Sequence, residues 1–117
     1  MRRRTFLQQL AGAAWLPRLP AGSYTVVASI LRDKDVEGML ERLARVGRRF
    51  VATTSSNARA LPAGELAAVA ARWFPEVEAV DDPVAAVERA RQDPPVLVTG
   101  SLYLLSDLAA REELHVE

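Results

Sequence analysis

Apolar, β-branched runs alternate along this chain with segments whose apolar positions recur at helical spacing. Four of these runs have the composition of buried strands in a parallel sheet. They cover residues 24–31, 49–54, the weaker 77–80 and 96–98. Each run is followed by a helical pattern, so the sequence predicts a strand and then a helix, repeated four times.

The predicted helices have clear starts and stops. Asp35 is the expected N-cap of the first, Pro62 opens the second and Pro75 ends it, and Asp82-Pro83 opens the third. A last helix is predicted after residue 101. The first helix is predicted from apolar residues at three- and four-residue steps, namely Val36, Met39, Leu40, Leu43 and Val46.

Alternation of strands and helices predicts an α/β fold with a doubly wound, mostly parallel sheet. Such folds place ligands at the carboxyl ends of the strands. Polar residues follow three of the predicted strands, which makes that edge of the sheet the candidate site. They are Arg32, Asp33, Lys34 and Asp35 after the first strand, residues 53–57 and Arg59 after the second, and Thr99, Gly100 and Ser101 after the last.

Composition narrows the range of partners. The 117 residues fit one domain, and 15 basic side chains balance 15 acidic ones, so nucleic acid and anionic membranes are not expected as main partners. Arg48 and Arg49 are expected to be a solvated basic edge. With no cysteine and no long apolar segment, we expect neither disulfides nor a membrane span, and a cytoplasmic protein fits best.

Three parts of the candidate edge have both a chemical and a structural interpretation. Lys34, the only lysine, lies between two aspartates at a strand-to-helix turn, where its ammonium suits a phosphate or carboxylate; an Asp cap beside a solvated lysine explains the pattern equally well. Gly100 and Ser101 fit an anion site or a simple helix cap. Arg59 is either an anion ligand or an exposed loop arginine.

Several kinds of catalytic site are excluded by the sequence. His115 is the only histidine and lies in the polar C-terminal tail, so no Ser-His-Asp or Cys-His set can form around it. No residues have metal-ligand spacing, and the P-loop pattern G-x-x-x-x-G-K-[ST] does not occur. We therefore predict no catalytic residue and no metal ligand in this chain.

Three segments, in this order and spacing, resemble the C-terminal domain of bacterial folylpolyglutamate synthase/dihydrofolate synthase, a family of the Mur ligase superfamily. They are D-K-D-V-E-G-M-L at residues 33–40, R-A-L-P at residues 59–62 and V-T-G-S-L-Y at residues 98–103. The resemblance runs from about residue 24 to residue 108. It implies a Rossmann-like three-layer fold of the Mur ligase C-terminal domain type.

The resemblance also implies a chemistry. Enzymes of this family use ATP to convert a folate or dihydropteroate carboxylate to an acyl phosphate, which the amine of L-glutamate then attacks. ATP and Mg²⁺ are bound mainly by an N-terminal P-loop domain that this sequence does not contain. By resemblance, Thr99, Gly100 and Ser101 lie near the glutamate carboxylate. Asp33, Lys34, Asp35 and Arg59 line the same cleft.

The sequence departs from the family in three places. A D-G-A-H-N-P segment, whose aspartate and histidine contact nucleotide and substrate in the family, is absent. Ala28-Ser29 replaces a bulky residue and glycine, and Ser55-Ser56 lies where proline is common. From the missing segment we expect a domain without its first strand and without cofactors of its own.

Residues 1–23 have two interpretations. Phe6, Leu7, Leu10, Ala13 and Ala14 have helical spacing up to Pro17, which favours a helix and linker preceding a domain over residues 24–117. Alternatively, Arg3-Arg4 begins a twin-arginine export signal.

Three hypotheses follow from these observations. The first is a C-terminal ligase domain, truncated or split from a separate P-loop domain and inactive alone, that contacts L-glutamate and nucleotide. The second is a non-catalytic binding module of the same fold. The third is an exported protein.

Overall fold

Five parallel strands form a single sheet with helices on both faces. The computed structural model describes residues 5–7, 22–99 and 108. The elements are β1 (Thr5–Leu7), β2 (Tyr24–Ala28), α1 (Val36–Leu43), β3 (Gly47–Ala52), α2 (Ala63–Ala70), β4 (Glu76–Ala79), α3 (Pro83–Ala90) and β5 (Val96–Thr99).

The strand order is β1-β5-β2-β3-β4. The chain moves outward from β2 through β3 to β4, then returns through α3 to place β5 on the other side of β2. All four pairings are parallel, and α1 and α2 pack on one face while α3 packs on the other. These observations confirm the predicted three-layer α/β fold, in which helices cover both faces of a parallel sheet.

Successive residues of β2, β3 and β5 pack into opposite layers, as the two-residue period of a strand requires. Toward α1 and α2 point the side chains of Val26, Phe50 and Leu97, which are fully buried. Toward α3 point those of Val27, Val51 and Val98, also fully buried. This burial on both faces explains why the strands are continuous apolar runs in the sequence.

The predicted strands and helices agree with the structure within a few residues. β2 ends at Ala28, before the predicted end at Leu31, because the carbonyl of Ile30 pairs with Leu61 N–H instead of a neighbouring strand. The predicted last helix lies largely outside the described residues. Its described member, Leu108, is helical and fully buried against the α3 layer.

The N-terminal prediction needs correction. Phe6 and Leu7, expected in a helix, lie in strand β1, and the sheet therefore has a strand before β2 where none was expected. Backbone hydrogen bonds to the otherwise unpaired edge of β5 stabilise a strand at residues 5–7, and they outweigh the helical spacing that Phe6 and Leu7 share with later apolar residues. Residues 8–21 of the predicted helix and linker, and the twin-arginine pair, lie outside the described residues.

Ion pairs at the amino edge of the sheet replace the solvated basic edge predicted for Arg48 and Arg49. Arg48 pairs with the Asp93 carboxylate, and Arg49 Nη2 lies 2.7 Å from Glu78 Oε1. Arg89 Nη2 lies 2.6 Å from the other oxygen of Glu78. The Arg49 side chain is only 20% exposed. Together these ion pairs connect β3 with β4, α3 and the segment before β5.

Glu78 makes the stability of the chain sensitive to acid. Burial acts to raise the pKa of Glu78, but hydrogen bonds from Arg49 and Arg89 outweigh it and lower the pKa. A depressed carboxylate pKa stabilises the fold above the ordinary glutamate value of about 4.3, and this contribution is lost as the pH falls through the folded-state value. We expect the free energy of unfolding of Glu78→Gln to fall less steeply than that of the unmodified chain as the pH is lowered from about 5 to 3.

Urea unfolding at a series of pH values measures this slope. Glu88→Gln is the matched control, because Glu88 is exposed and forms no ion pair with a described residue. Equal acid slopes for the unmodified chain and Glu78→Gln would rule out this role.

Gly47 permits the close approach of β3 to β2. A Cβ atom at this position would lie 2.5 Å from Val26 Cγ2 and 3.2 Å from the Tyr24 carbonyl oxygen. Val26 is fully buried and its branched side chain has little freedom to move. We expect Gly47→Ala to lower the free energy of unfolding by about 1–3 kcal/mol. Gly64→Ala, where a Cβ meets nothing within 4 Å, should not destabilise the chain in the same chemical denaturation assay.

Candidate functional site

The described polar residues predicted to share one edge lie after β2 and β3 and, for Thr99, at the end of β5, and these three strands are adjacent in the sheet. After β2 the chain passes to α1 on one face. After β5 the next described residue, Leu108, packs on the opposite face with α3. Connections that diverge from neighbouring parallel strands open a crevice between them, and ligands of α/β proteins bind in such crevices.

The loops after β2 and β3 form one unit. Arg32 N–H donates to the Arg59 carbonyl at 2.8 Å, and Leu61 N–H donates to the Ile30 carbonyl at 3.0 Å. Between these two bonds the two segments run antiparallel and form an isolated β-bridge that joins Leu31 to the buried Ala60. These contacts fix the positions of the two loops, and of the polar residues that they carry, relative to each other.

The two aspartates that flank Lys34 each have a partner. Asp35 Oδ1 accepts a hydrogen bond of 3.1 Å from Gly38 N–H, which caps α1 as predicted. Asp33 Oδ2 lies 2.6 Å from Arg59 Nη1. Lys34 is exposed and forms no ion pair with any described residue. Asp35 therefore caps α1, while the neighbouring Lys34 has an exposed ammonium group.

Arg59 was weighed as an anion ligand or an exposed loop arginine. Its side chain is 55% exposed, yet it is engaged with Asp33. This pairing could not be predicted from the sequence, because the two residues are separated by 26 positions and meet only once β2 and β3 are aligned.

Most hydroxyl groups of the loop after β3 have structural partners. Thr53 Oγ1 donates to the Asp81 carbonyl at 3.0 Å, and Thr54 Oγ1 accepts from Ala63 N–H at 2.8 Å, which supplies the cap that Pro62 cannot. These contacts account for the threonines of this loop without a ligand.

Ser29 is a member of this edge that the sequence analysis noted only as a departure from the family pattern. Its Oγ accepts a hydrogen bond of 3.0 Å from Ser55 N–H, and both residues are buried. The sequence signal that could have indicated Ser29 as a residue of this edge is its position directly after a buried strand. Ser29 and Ser55, two of the three serines that depart from the family pattern, therefore bond to each other and join the two loops.

Two buried hydroxyl groups at this edge have no hydrogen-bond partner among the described residues. They are Ser55 Oγ and Thr99 Oγ1. Thr99 is 1% exposed and pairs in register with Ala28, so it lies beside the loop that begins at Ser29. Gly100 and Ser101, predicted beside it, lie outside the described residues.

The described part of the chain has no group of three or more histidine, cysteine, aspartate or glutamate residues placed to hold a metal ion. Within the same residues, no helix has the length and apolar character needed to cross a membrane.

Comparison with solved structures confirms the resemblance predicted from the sequence. A Mycobacterium tuberculosis folylpolyglutamate synthase, solved with ADP and AMPPCP, has 29% sequence identity over 82% of this chain, with a TM-score of 0.66. The Thermotoga maritima folylpolyglutamate synthase has 26% identity over 81% of the chain and a TM-score of 0.64.

A third similar structure is the bifunctional folylpolyglutamate synthase/dihydrofolate synthase of Yersinia pestis, complexed with AMPPNP and Mn ion. It has 26% identity over 77% of the chain and a TM-score of 0.63. The chain spans 24%, 23% and 22% of the lengths of these three structures. No protein-family model and no curated protein sequence matches the chain.

Proposed function

We propose that this chain is the glutamate- and nucleotide-contacting C-terminal domain of an ATP-dependent ligase of the folylpolyglutamate synthase/dihydrofolate synthase type. The observation that carries the proposal is the similarity to folylpolyglutamate synthases over 82% of the chain. The proposal also draws on Lys34, an exposed cation at the carboxyl edge of the sheet whose neighbouring carboxylates are engaged by other residues.

The reaction joins a carboxylate to an amine. An oxygen of a folate or dihydropteroate carboxylate attacks the γ-phosphorus of ATP, ADP leaves with the electrons of the broken P–O bond, and an acyl phosphate forms. The amine of L-glutamate then attacks the acyl carbon, phosphate leaves with the C–O bond electrons, and the amine loses a proton as the amide forms. What this domain contributes in our proposal is the position of the incoming amine, because holding two reactants in the right geometry makes their reaction effectively unimolecular.

Each residue of the edge has a role in this proposal. The Lys34 ammonium binds a carboxylate of glutamate, and Thr99, Gly100 and Ser101 lie beside that carboxylate. Thr99 Oγ1 is a donor without a partner among the described residues. Asp33, Asp35 and Arg59 support the turn that carries Lys34. None of these residues exchanges a proton or forms a covalent bond in the reaction.

Nucleotide and metal are bound mainly outside this chain in our proposal. The sequence has no P-loop, so we infer that a separate P-loop domain holds the phosphates of ATP and Mg²⁺. When bound, they supply the phosphoryl group and neutralise its charge. We also propose a cytoplasmic location, because the proposed reaction consumes ATP and folates.

A ligase assay tests the proposal. The purified chain, incubated with ATP, Mg²⁺, L-glutamate and tetrahydrofolate or dihydropteroate, should give no glutamate-extended product by mass spectrometry. Addition of a P-loop domain recovered by affinity capture on the chain should restore product formation. Product from the chain alone would contradict the proposal that it is inactive by itself.

A further inference from the structure

Arg59 is held at three points in the loop after β3. Its N–H donates to Asn57 Oδ1 at 2.7 Å, and its carbonyl accepts from Arg32 N–H at 2.8 Å. Its guanidinium pairs with Asp33 at 2.6 Å. The backbone hydrogen bonds hold the main chain of Arg59, and the ion pair holds its guanidinium group. Arg59 therefore connects the loop after β3 to both Arg32 and Asp33 of the loop after β2.

The ion pair acts on position more than on stability. Both side chains are about half exposed, at 55% and 49%, and pairs exposed to this degree contribute little to folding. Their effect is on where the Asp33 carboxylate lies. Without Arg59, Asp33 is an unpaired anion next to the only lysine of the chain, and it attracts the Lys34 ammonium and repels an incoming carboxylate.

We propose that Arg59 is a positioning residue for Lys34: it withdraws the Asp33 carboxylate and so leaves the ammonium available to an anionic ligand. The inference rests on the proposed function, in which that ligand is glutamate. It assigns Arg59 an action through Asp33, with no contact between Arg59 and the ligand.

The single lysine makes a direct measurement possible. Reductive methylation with ¹³C-formaldehyde keeps the charge and gives one lysine signal, from Lys34, beside that of the N-terminal amine. Titration with L-glutamate should shift the Lys34 signal to saturation in the unmodified chain. In Arg59→Ala the fitted dissociation constant should rise about fivefold, the effect of one uncompensated charge close to the binding group in water.

A double variant separates positioning from direct contact. In Arg59→Ala with Asp33→Asn the competing carboxylate is gone, so affinity should return to within about twofold of the unmodified chain. Arg89→Ala is the matched control, because it removes the cation of another ion pair, with Glu78 at 2.6 Å, at the amino edge of the sheet. It should leave the titration unchanged. If the double variant stays as weak as Arg59→Ala, Arg59 contacts the ligand itself and the positioning role is wrong.

The remaining outcomes are also informative. Equal affinities for Arg59→Ala and the unmodified chain overturn the inference while leaving the proposed function intact. An unmodified chain whose Lys34 signal does not respond overturns the proposed role of Lys34, and the inference with it. Arg59→Lys, which keeps a cation opposite Asp33, should retain most of the affinity and provides a second variant if Arg59→Ala does not fold.

Discussion

Phe50→Ala should lower the free energy of unfolding by about 3–5 kcal/mol, a large share of the stability of a domain of this size. Phe50 is fully buried in β3, in the core that α1 and α2 cover, and its ring centroid lies 5.0 Å from that of Phe74 at an interplanar angle of 42°. Its removal leaves a cavity between β3 and the helices α1 and α2 and breaks the aromatic pair, which adds to the cost.

Chemical denaturation followed by circular dichroism measures this loss. Val84→Ala serves as the comparison, because Val84 is only partly buried at the margin of the α3 layer and should cost less than about 1.5 kcal/mol. A cost below about 1 kcal/mol for Phe50→Ala would contradict the packing described for this face of the sheet.

Lys34→Glu should abolish measurable binding of L-glutamate by the chain, a loss of about 30-fold or more. The substitution removes one charge-assisted hydrogen bond, of about 1.5–3 kcal/mol, and puts a repelling carboxylate in its place. Isothermal titration calorimetry gives the affinity. Because Lys34 is exposed and has no ion pair with a described residue, thermal stability should be almost unchanged.

Arg45→Glu makes the same charge change at an exposed position in the turn that follows α1, at the opposite end of that helix from Lys34. It should leave glutamate binding as it is. Equal binding by Lys34→Glu and Arg45→Glu would exclude Lys34 as the anion contact.

The fold was predictable because its signals are local. Apolar runs marked β2 to β5, and Asp35, Pro62 and Asp82 marked the starts of the three helices where the structure has them. Each of these signals depends on the geometry of one turn or one strand. Strand order and the pairing of β1 with β5 depend instead on contacts between distant segments, and no single segment of the sequence specifies them.

The candidate site was predictable to the level of its edge, and no further. The sequence placed Asp33, Lys34, Asp35 and Arg59 at the carboxyl ends of the strands, where the structure has them. It did not predict that Arg59 would engage Asp33, nor that Ser29 would accept from Ser55 N–H. Both contacts join loops that follow different strands, and they exist only because β2 and β3 are aligned in register.

The most direct test of the proposed function is a titration of the ¹⁵N-labelled chain with L-glutamate, followed by the backbone amide signals. The proposal predicts saturable shifts at residues 32–36 and at Thr99, and no shifts at the amino edge, around Tyr24 and Asp93. Saturable shifts confined to the amino edge, or none at any residue at millimolar glutamate, would contradict the proposal that this edge of the sheet binds the incoming amino acid.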